Sequence, residues 1–348
     1  MIFIYNLLII VILGVILKYN PKHKKLYLTI CFLQMILIQG LRDISVGTDT
    51  KFYVDIYNNY LNSQFYSWQF THFEYGFQML YNIFHKLNLT SQQMLMIISS
   101  VTMFGFAHFI YKNSINVYIS TFIFACMLYP NSFNIMRQFL AISIAINSYQ
   151  FIMDKKYIKG LLIIIIGSLF HVTAYLMLIP LLFNCFKNWK LMRKLIIISS
   201  AVCFIFGNKI VNAVLPLVGK SFYLTEYNVN RLFRMTTMLT VIIAILVWYF
   251  SRRVEEKEDK QTLSLLANIA FVNMNFGVLY LKYEFFSRII ESLNLFLLIS
   301  IPLGITKMKS YYRPLIKIGV YCVPILLMLN AVYNSGSGIE VYKTYFMM

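Results

Sequence analysis

The chain of 348 residues reads as an all-α, polytopic helical membrane protein, on three observations. Its hydrophobic content is 59% and its mean hydropathy +0.67, more apolar residue than a soluble core needs. Apolar runs recur along its whole length. Its Lys and Arg residues gather between those runs, as in membrane proteins that carry their positive charge on the cytoplasmic side.

The runs cover 2–17, 26–40, 91–111, 115–129, 133–152, 160–183, 194–207, 235–250, 262–281, 285–305 and 314–333, about 10–12 membrane segments. Several fall short of the ~20 residues that a straight crossing needs. A thinned bilayer or a helix beginning inside a cavity accommodates such lengths. The first run lacks a basic leader and a small-residue cleavage site, so it reads as a retained span. No repeat or low-complexity linker divides the chain. One membrane domain, 1–348, is expected, with its largest external loop at about 41–90 and a second external stretch at about 208–234.

Orientation follows from the loops. The first, Lys18 to Lys25, is basic without an acid and is placed in the cytoplasm. The segment 160–183 then decides the rest. A single crossing splits the 31 Lys and Arg almost evenly between the two sides. A re-entrant hairpin turning near His171 puts most of them in the cytoplasm, and is preferred. The net charge of +18 is thereby explained by topology, with anionic headgroups as partners and no nucleic acid. Cys31, Cys126, Cys185, Cys203 and Cys322 sit in apolar runs with no pairing or metal spacing. No serine-hydrolase, phosphate-loop or zinc motif occurs, so neither metal nor cofactor is called.

Chemistry is sought in the charges outside the spans. Gly40 to Tyr53, GLRDISVGTDTKFY, sets Arg42, Asp43 and Asp49 after an apolar run, in a chain with only 13% charged residues. Its glycines mark a turn. Tyr53, Ile56, Tyr57, Tyr60 and Leu61 then fall at helical spacing, so an amphipathic surface helix follows. FEYGFQMLY opens a second one with Glu74 at its start, and together they make amphipathic external helices within 50–87. Asp49 and Glu74 are either helix-end carboxylates or acid–base groups. Arg137, with Gln138, lies several residues inside a span. There it either snorkels to the surface or binds a phosphate. His171, at the hairpin turn, is either structural or catalytic. Arg288, with Glu284 and Glu291 at i−4 and i+3, reads as a helix ion pair or an anion contact. Arg231 and Arg234 are further phosphate contacts or interface anchors. The aromatic residues Tyr53, Tyr57, Phe65, Tyr66, Trp68, Phe70 and Phe73 read mainly as an interfacial belt, or as stacking surfaces for sugar rings.

Taken together, LRDISVGTDTKFY, FEYGF, N-x-x-RQFLAISIA and LFHVTAYLMLIP, between Ile38 and Pro180, resemble the EpsG family, related to Wzy-type polysaccharide polymerases. The resemblance implies a helical, GT-C-like glycosyltransferase in the bacterial inner membrane. It would join undecaprenyl-pyrophosphate-linked repeat units at a site facing the periplasm or exterior, in concert with a chain-length regulator. The matching positions are Arg42, Asp49, Glu74, Arg137 and His171. On that expectation Arg42, Arg137 and Arg288 hold the pyrophosphate, and Glu74, Asp49 or His171 takes the acceptor proton without a metal. Asp43, Gln138, Arg231, Arg234 and Glu284 are secondary. A flippase or exporter of lipid-linked glycan, and a glycan ligase or acyltransferase, are the alternatives.

Overall fold

The computed structural model describes residues 1–18, 20–186, 188–217, 233–334 and 336–347. It is 79% helical and contains no strand among the described residues, as an all-α polytopic membrane protein should be. Among the described residues, five helices are long and apolar enough to cross a bilayer. A sixth crossing forms if Phe286–Asn294 and Leu297–Lys307, bent by 43° to each other, are counted as one. Shorter apolar helices occupy the other expected runs, among them Ile2–Leu17 and Tyr157–Ser168.

The chain divides into two compact units, Met1–Leu178 with Leu315–Met348, and Ile179–Pro314. In the first, α1 (Ile2–Leu17), α2 (Lys24–Gly40) and α6 (Ser91–Asn113) lead to α7 (Val117–Ile123) and α8 (Met136–Ala145). Between α2 and α6 lie three short helices, α3 (Thr50–Asn59), α4 (Gln64–Thr71) and α5 (Tyr75–Lys86). Helix α6 starts on a capping box: Thr90 accepts from the Gln93 amide, and the Gln93 side chain returns a bond to the Thr90 amide. Helix α7 widens into a π-turn over Phe124–Leu128, and a tight turn at Asn131–Phe133 precedes α8.

The three short helices between α2 and α6 differ from expectation in one respect. Tyr53, Tyr57, Phe70 and Phe73 are buried with Phe77 and Tyr81 in a core that also takes in Met94, Leu95 and Ile98 of α6 and Met136 and Leu140 of α8, so they form no belt. Burial raises the affinity of the Tyr57 and Tyr60 phenols for their protons. Of the named aromatics only Phe65 and Trp68 are exposed.

After α9 (Ser148–Met153), helix α10 (Tyr157–Ser168) stops, and beyond Leu169–His171 the chain continues as a 3-10 helix, Val172–Met177, packed against both α10 and α8. The break in helix falls at the expected turn near His171. Gly167 permits the close approach: a Cβ there would lie 2.8 Å from the Ala141 carbonyl oxygen.

In the second unit α12 (Trp189–Leu217), α13 (Met235–Arg253) and α14 (Lys257–Tyr280) follow α11 (Leu178–Cys185). The chain then continues as α15 (Phe286–Asn294) and α16 (Leu297–Lys307). Helix α12 extends well beyond the expected 194–207, so 208–217 is helix where an external stretch was expected. The rest of that stretch, with Arg231, lies outside the described residues. Helix α17 (Arg313–Tyr333) closes the chain before its tail.

Candidate active site in the first unit

The site is built at the start of α5. Glu74 stands at the N-cap position in extended backbone, where a side chain ordinarily bonds the first free amides of its helix. It makes no such bond. Its Oε2 instead accepts from Arg137 Nη1 at 2.6 Å, joining positions 63 residues apart. The pair is neither sealed nor open: the side chains are 19% (Arg137) and 26% (Glu74) exposed.

Aromatic rings form the wall. The Arg137 guanidinium carbon lies 4.3 Å from the Phe73 ring centre, and 5.9 and 6.0 Å from those of Tyr53 and Phe77. Ring faces favour a cation at this range, which helps a guanidinium reside at membrane depth. Arg137 Nε is buried with no hydrogen-bond partner among the described residues. The guanidinium therefore retains donor capacity that the Glu74 bond does not use.

The hairpin is fastened to the same place. The Gly76 amide donates to the Leu169 carbonyl at 2.8 Å, and a Cβ on Gly76 would lie 2.7 Å from that oxygen. Only glycine fits there. His171 follows two residues later; its Nδ1 lies 2.9 Å from Thr173 Oγ1 and accepts from the Thr173 amide. Glu74, Arg137 and the turn bearing His171 are thus brought together by the first turn of α5.

The other candidates occupy different surroundings. Arg42, expected on the pyrophosphate, is 0% exposed. Its Nη1 and Nη2 donate to the Gln39 and Phe133 carbonyls at 3.0 and 3.3 Å, and Nε to Thr50 Oγ1 at 3.2 Å. Burial pulls its proton affinity down to about 10, still charged at neutral pH. No donor faces outward, so Arg42 braces the fold and does not present itself to an anion. Around it the tail runs back antiparallel: the Asp43 amide donates to the Lys343 carbonyl, and the Tyr345 amide to that of Leu41. Gly47 and Thr48 likewise bond Gly338 and Ser337.

Asp43 accepts from the Ser45 hydroxyl and amide at 2.5 and 2.9 Å, and these bonds hold its carboxyl below the usual range. Asp49 sits at the N-cap of α3 without a capping bond and accepts from the Thr48 hydroxyl. Gln138 is buried beside Arg137 in the chain.

In the second unit Glu284 pairs with Arg234 at 3.2 Å, where a helix pair with Arg288 was expected. Arg234 is 7% exposed and lies 4.0 Å from the Tyr280 ring centre. It borders a cleft of about 280 Å³. Arg288 is exposed on α15. Among the described residues no three His, Cys, Asp or Glu side chains gather in a metal-binding group.

The EpsG family model matches residues 25–346, well beyond the stretch that carried the sequence resemblance. The chain belongs to the EpsG family. Comparison with curated proteins and with solved structures found no match. EpsG membership brings a polysaccharide-polymerase type of role and a glycosyltransferase-like chemistry, in a multi-pass membrane protein. A polymerase of this type acts on lipid-linked oligosaccharides in the membrane. The Arg137–Glu74 pair lies inside the matched region and supplies the two kinds of group such chemistry needs, a fixed cation and a nearby carboxylate.

Proposed function

We propose that this EpsG protein polymerises undecaprenyl-pyrophosphate-linked repeat units on the outer face of the bacterial inner membrane, with Arg137 and Glu74 at its centre. In the reaction, an acceptor hydroxyl attacks the anomeric carbon of the donor glycan. The bond from that carbon to the pyrophosphate oxygen breaks, and undecaprenyl pyrophosphate leaves with its electron pair. The hydroxyl proton passes to a base.

The observation that carries this reading is the 2.6 Å pair with its unspent Nε, half-buried against three rings. A guanidinium offers two forked donors to a phosphate, and their effect grows where water is scarce. A pyrophosphate oxygen entering the niche competes with Glu74 for Arg137. Once released, the carboxylate is available to receive the hydroxyl proton. Donor binding and base release are thereby one event. His171, on the turn fastened to Gly76, is the second proton acceptor in this scheme, and Asp49 the third. On the second unit, considered by itself, Arg288 and Arg234 are cations suited to an anion, with Glu284 the carboxylate partner of Arg234. No step here is routed through a metal.

The test is in vitro assembly with purified protein and a defined lipid-linked repeat unit, run with and without a chelator. Arg137→Ala is expected to abolish chain extension while membrane insertion and melting behaviour persist. Polymer of normal length from that variant would reject the assignment. In cells lacking the protein, accumulation of single repeat units fits a polymerase, whereas full-length glycan that fails to reach its acceptor would point to a ligase.

A further inference from the structure

Helices α2 and α6 enclose a groove that the polymerase reading does not use. Their relative direction is fixed at one end. Gln92 Nε2 donates to the Gly40 carbonyl at 2.5 Å, and a Cβ on Gly40 would meet Met96 Sδ at 2.6 Å. The last turn of α2 therefore lies on the first turn of α6, and the two run antiparallel. At 1.5 Å per residue, Lys25 and Lys112 emerge together at the opposite end, roughly 22–30 Å away.

The cavity between the two helices is about 520 Å³, within the range of small-molecule sites. Phe32, Leu33 and Ile36 line it from α2, and Phe104 and Ala107 from α6. They repeat at one-face helical spacing, so the lining is a continuous apolar strip. Lys25, His108, Tyr111 and Lys112 complete the lining towards the far end, and all four are exposed. Lys112 Nζ lies 6.0 Å from the Tyr111 ring centre. No carboxylate lines the cavity, and neither lysine has an ion pair among the described residues. An apolar trough at membrane depth, closed by two unneutralised cations, is complementary to a molecule with a hydrocarbon chain and one anionic head.

We propose that the groove holds one anionic phospholipid of the cytoplasmic leaflet, its phosphate between Lys25 and Lys112 and an acyl chain along Phe32, Leu33 and Phe104. The leaflet follows from charge: Lys18 and Lys22, before α2, and Lys24 and Lys25, in its first turn, cluster at this end, as basic residues do on the cytoplasmic side. The cytoplasmic leaflet also carries the anionic surface that such lysines attract.

Full-length protein, purified into detergent and titrated with phosphatidylglycerol, phosphatidylcholine or undecaprenyl phosphate, can be examined by native mass spectrometry. One tightly retained phosphatidylglycerol is expected, with phosphatidylcholine held more weakly. Lys25→Gln with Lys112→Gln should reduce phosphatidylglycerol retention on the order of 10- to 30-fold, the loss expected for two headgroup-facing lysines, and leave phosphatidylcholine unchanged. Ala107→Trp fills the trough and should expel both lipids. Equal retention of the two phospholipids, or an unaffected lysine double variant, would overturn the proposal. Preferential retention of undecaprenyl phosphate would overturn it too, by reassigning the groove to a polyprenyl lipid.

Discussion

Arg42 and Arg137 lie in the same compact unit, both follow apolar sequence, and both sit against aromatic rings, yet they are spent in opposite ways. Arg42 gives its donors to two carbonyls and a hydroxyl that the fold holds still. Arg137 gives one donor to a carboxylate on a rotatable side chain and keeps Nε unspent. A cation bonded to fixed acceptors can change partners only if the fold opens. A cation bonded to a mobile carboxylate can exchange it for a ligand anion. That contrast separates architecture from chemistry where residue type alone does not.

The largest expected effect lies on the chemical side. Replacing Arg137 removes the ion-pair partner of Glu74, and with it the anion contact. Loss of one such electrostatic contact costs about 10²–10³ in rate at other enzymes' anion sites. Arg137→Lys keeps the charge but loses the fork, so partial activity is expected, with chain extension recovered above the Ala variant and below the parent. Equal activity of the Lys variant and the parent would show that the charge alone is used.

Arg42→Ala should act on stability first. Each hydrogen bond to a charged group is worth about 1.5–3 kcal/mol, and three are lost at a fully buried site. A marked fall in melting temperature and in the amount of folded protein is expected, with activity per folded molecule largely kept. If instead Arg42→Ala is stably folded and inactive, the contrast drawn above fails, and Arg42 belongs with the chemistry.

Gly76→Ala sharpens the comparison from another direction, because it touches neither arginine. The added Cβ meets the Leu169 carbonyl oxygen at 2.7 Å and must push the hairpin turn away from Glu74. Displacement of a positioned group by about 1 Å can cost on the order of 10²-fold in rate. Slower chain extension with insertion intact is the expected result, and unchanged kinetics would separate the hairpin from the site.

Much of this was legible in the sequence, and the reason differs from element to element. The apolar runs became helices because hydropathy and period depend on neighbouring residues alone. The helix break before Val172 falls at the turn that the count of Lys and Arg favours, because charge in the loops is read from local sequence. Glu74 and Arg137 stood out singly, as charges in an apolar chain. Their union across 63 residues did not, because nothing local encodes it. The burial of Arg42 was hidden for the same reason: one of its acceptors, the Phe133 carbonyl, comes from 91 residues away. The tail that pairs with Gly47 and Thr48 carries Gly336 and Gly338 at positive φ and no hydrophobic period, so pattern reading passes over it. The tyrosines near Tyr53 were placed at headgroup level because composition cannot distinguish a belt from a small aromatic core.

The smallest expected effect is a pH dependence in the architectural region. Asp43 accepts two bonds from Ser45 in the loop that the tail covers, and these hold its carboxyl below the usual range near 3.9. A depressed folded-state value means that the unfolded chain takes up the proton first as pH falls. The stabilisation is therefore complete above about pH 4 and is lost as pH drops through the folded value. Asp43→Asn removes the charge but keeps an acceptor oxygen, so the loss should be on the order of 1 kcal/mol, a few degrees in melting temperature at neutral pH. Melting curves of parent and variant should run in parallel from pH 7 to about 5 and converge below about 4. A gap that stays constant down to pH 3 would mean that the Ser45 bonds do not depend on the charge of Asp43, and that the loop is held by its backbone pairing with the tail alone.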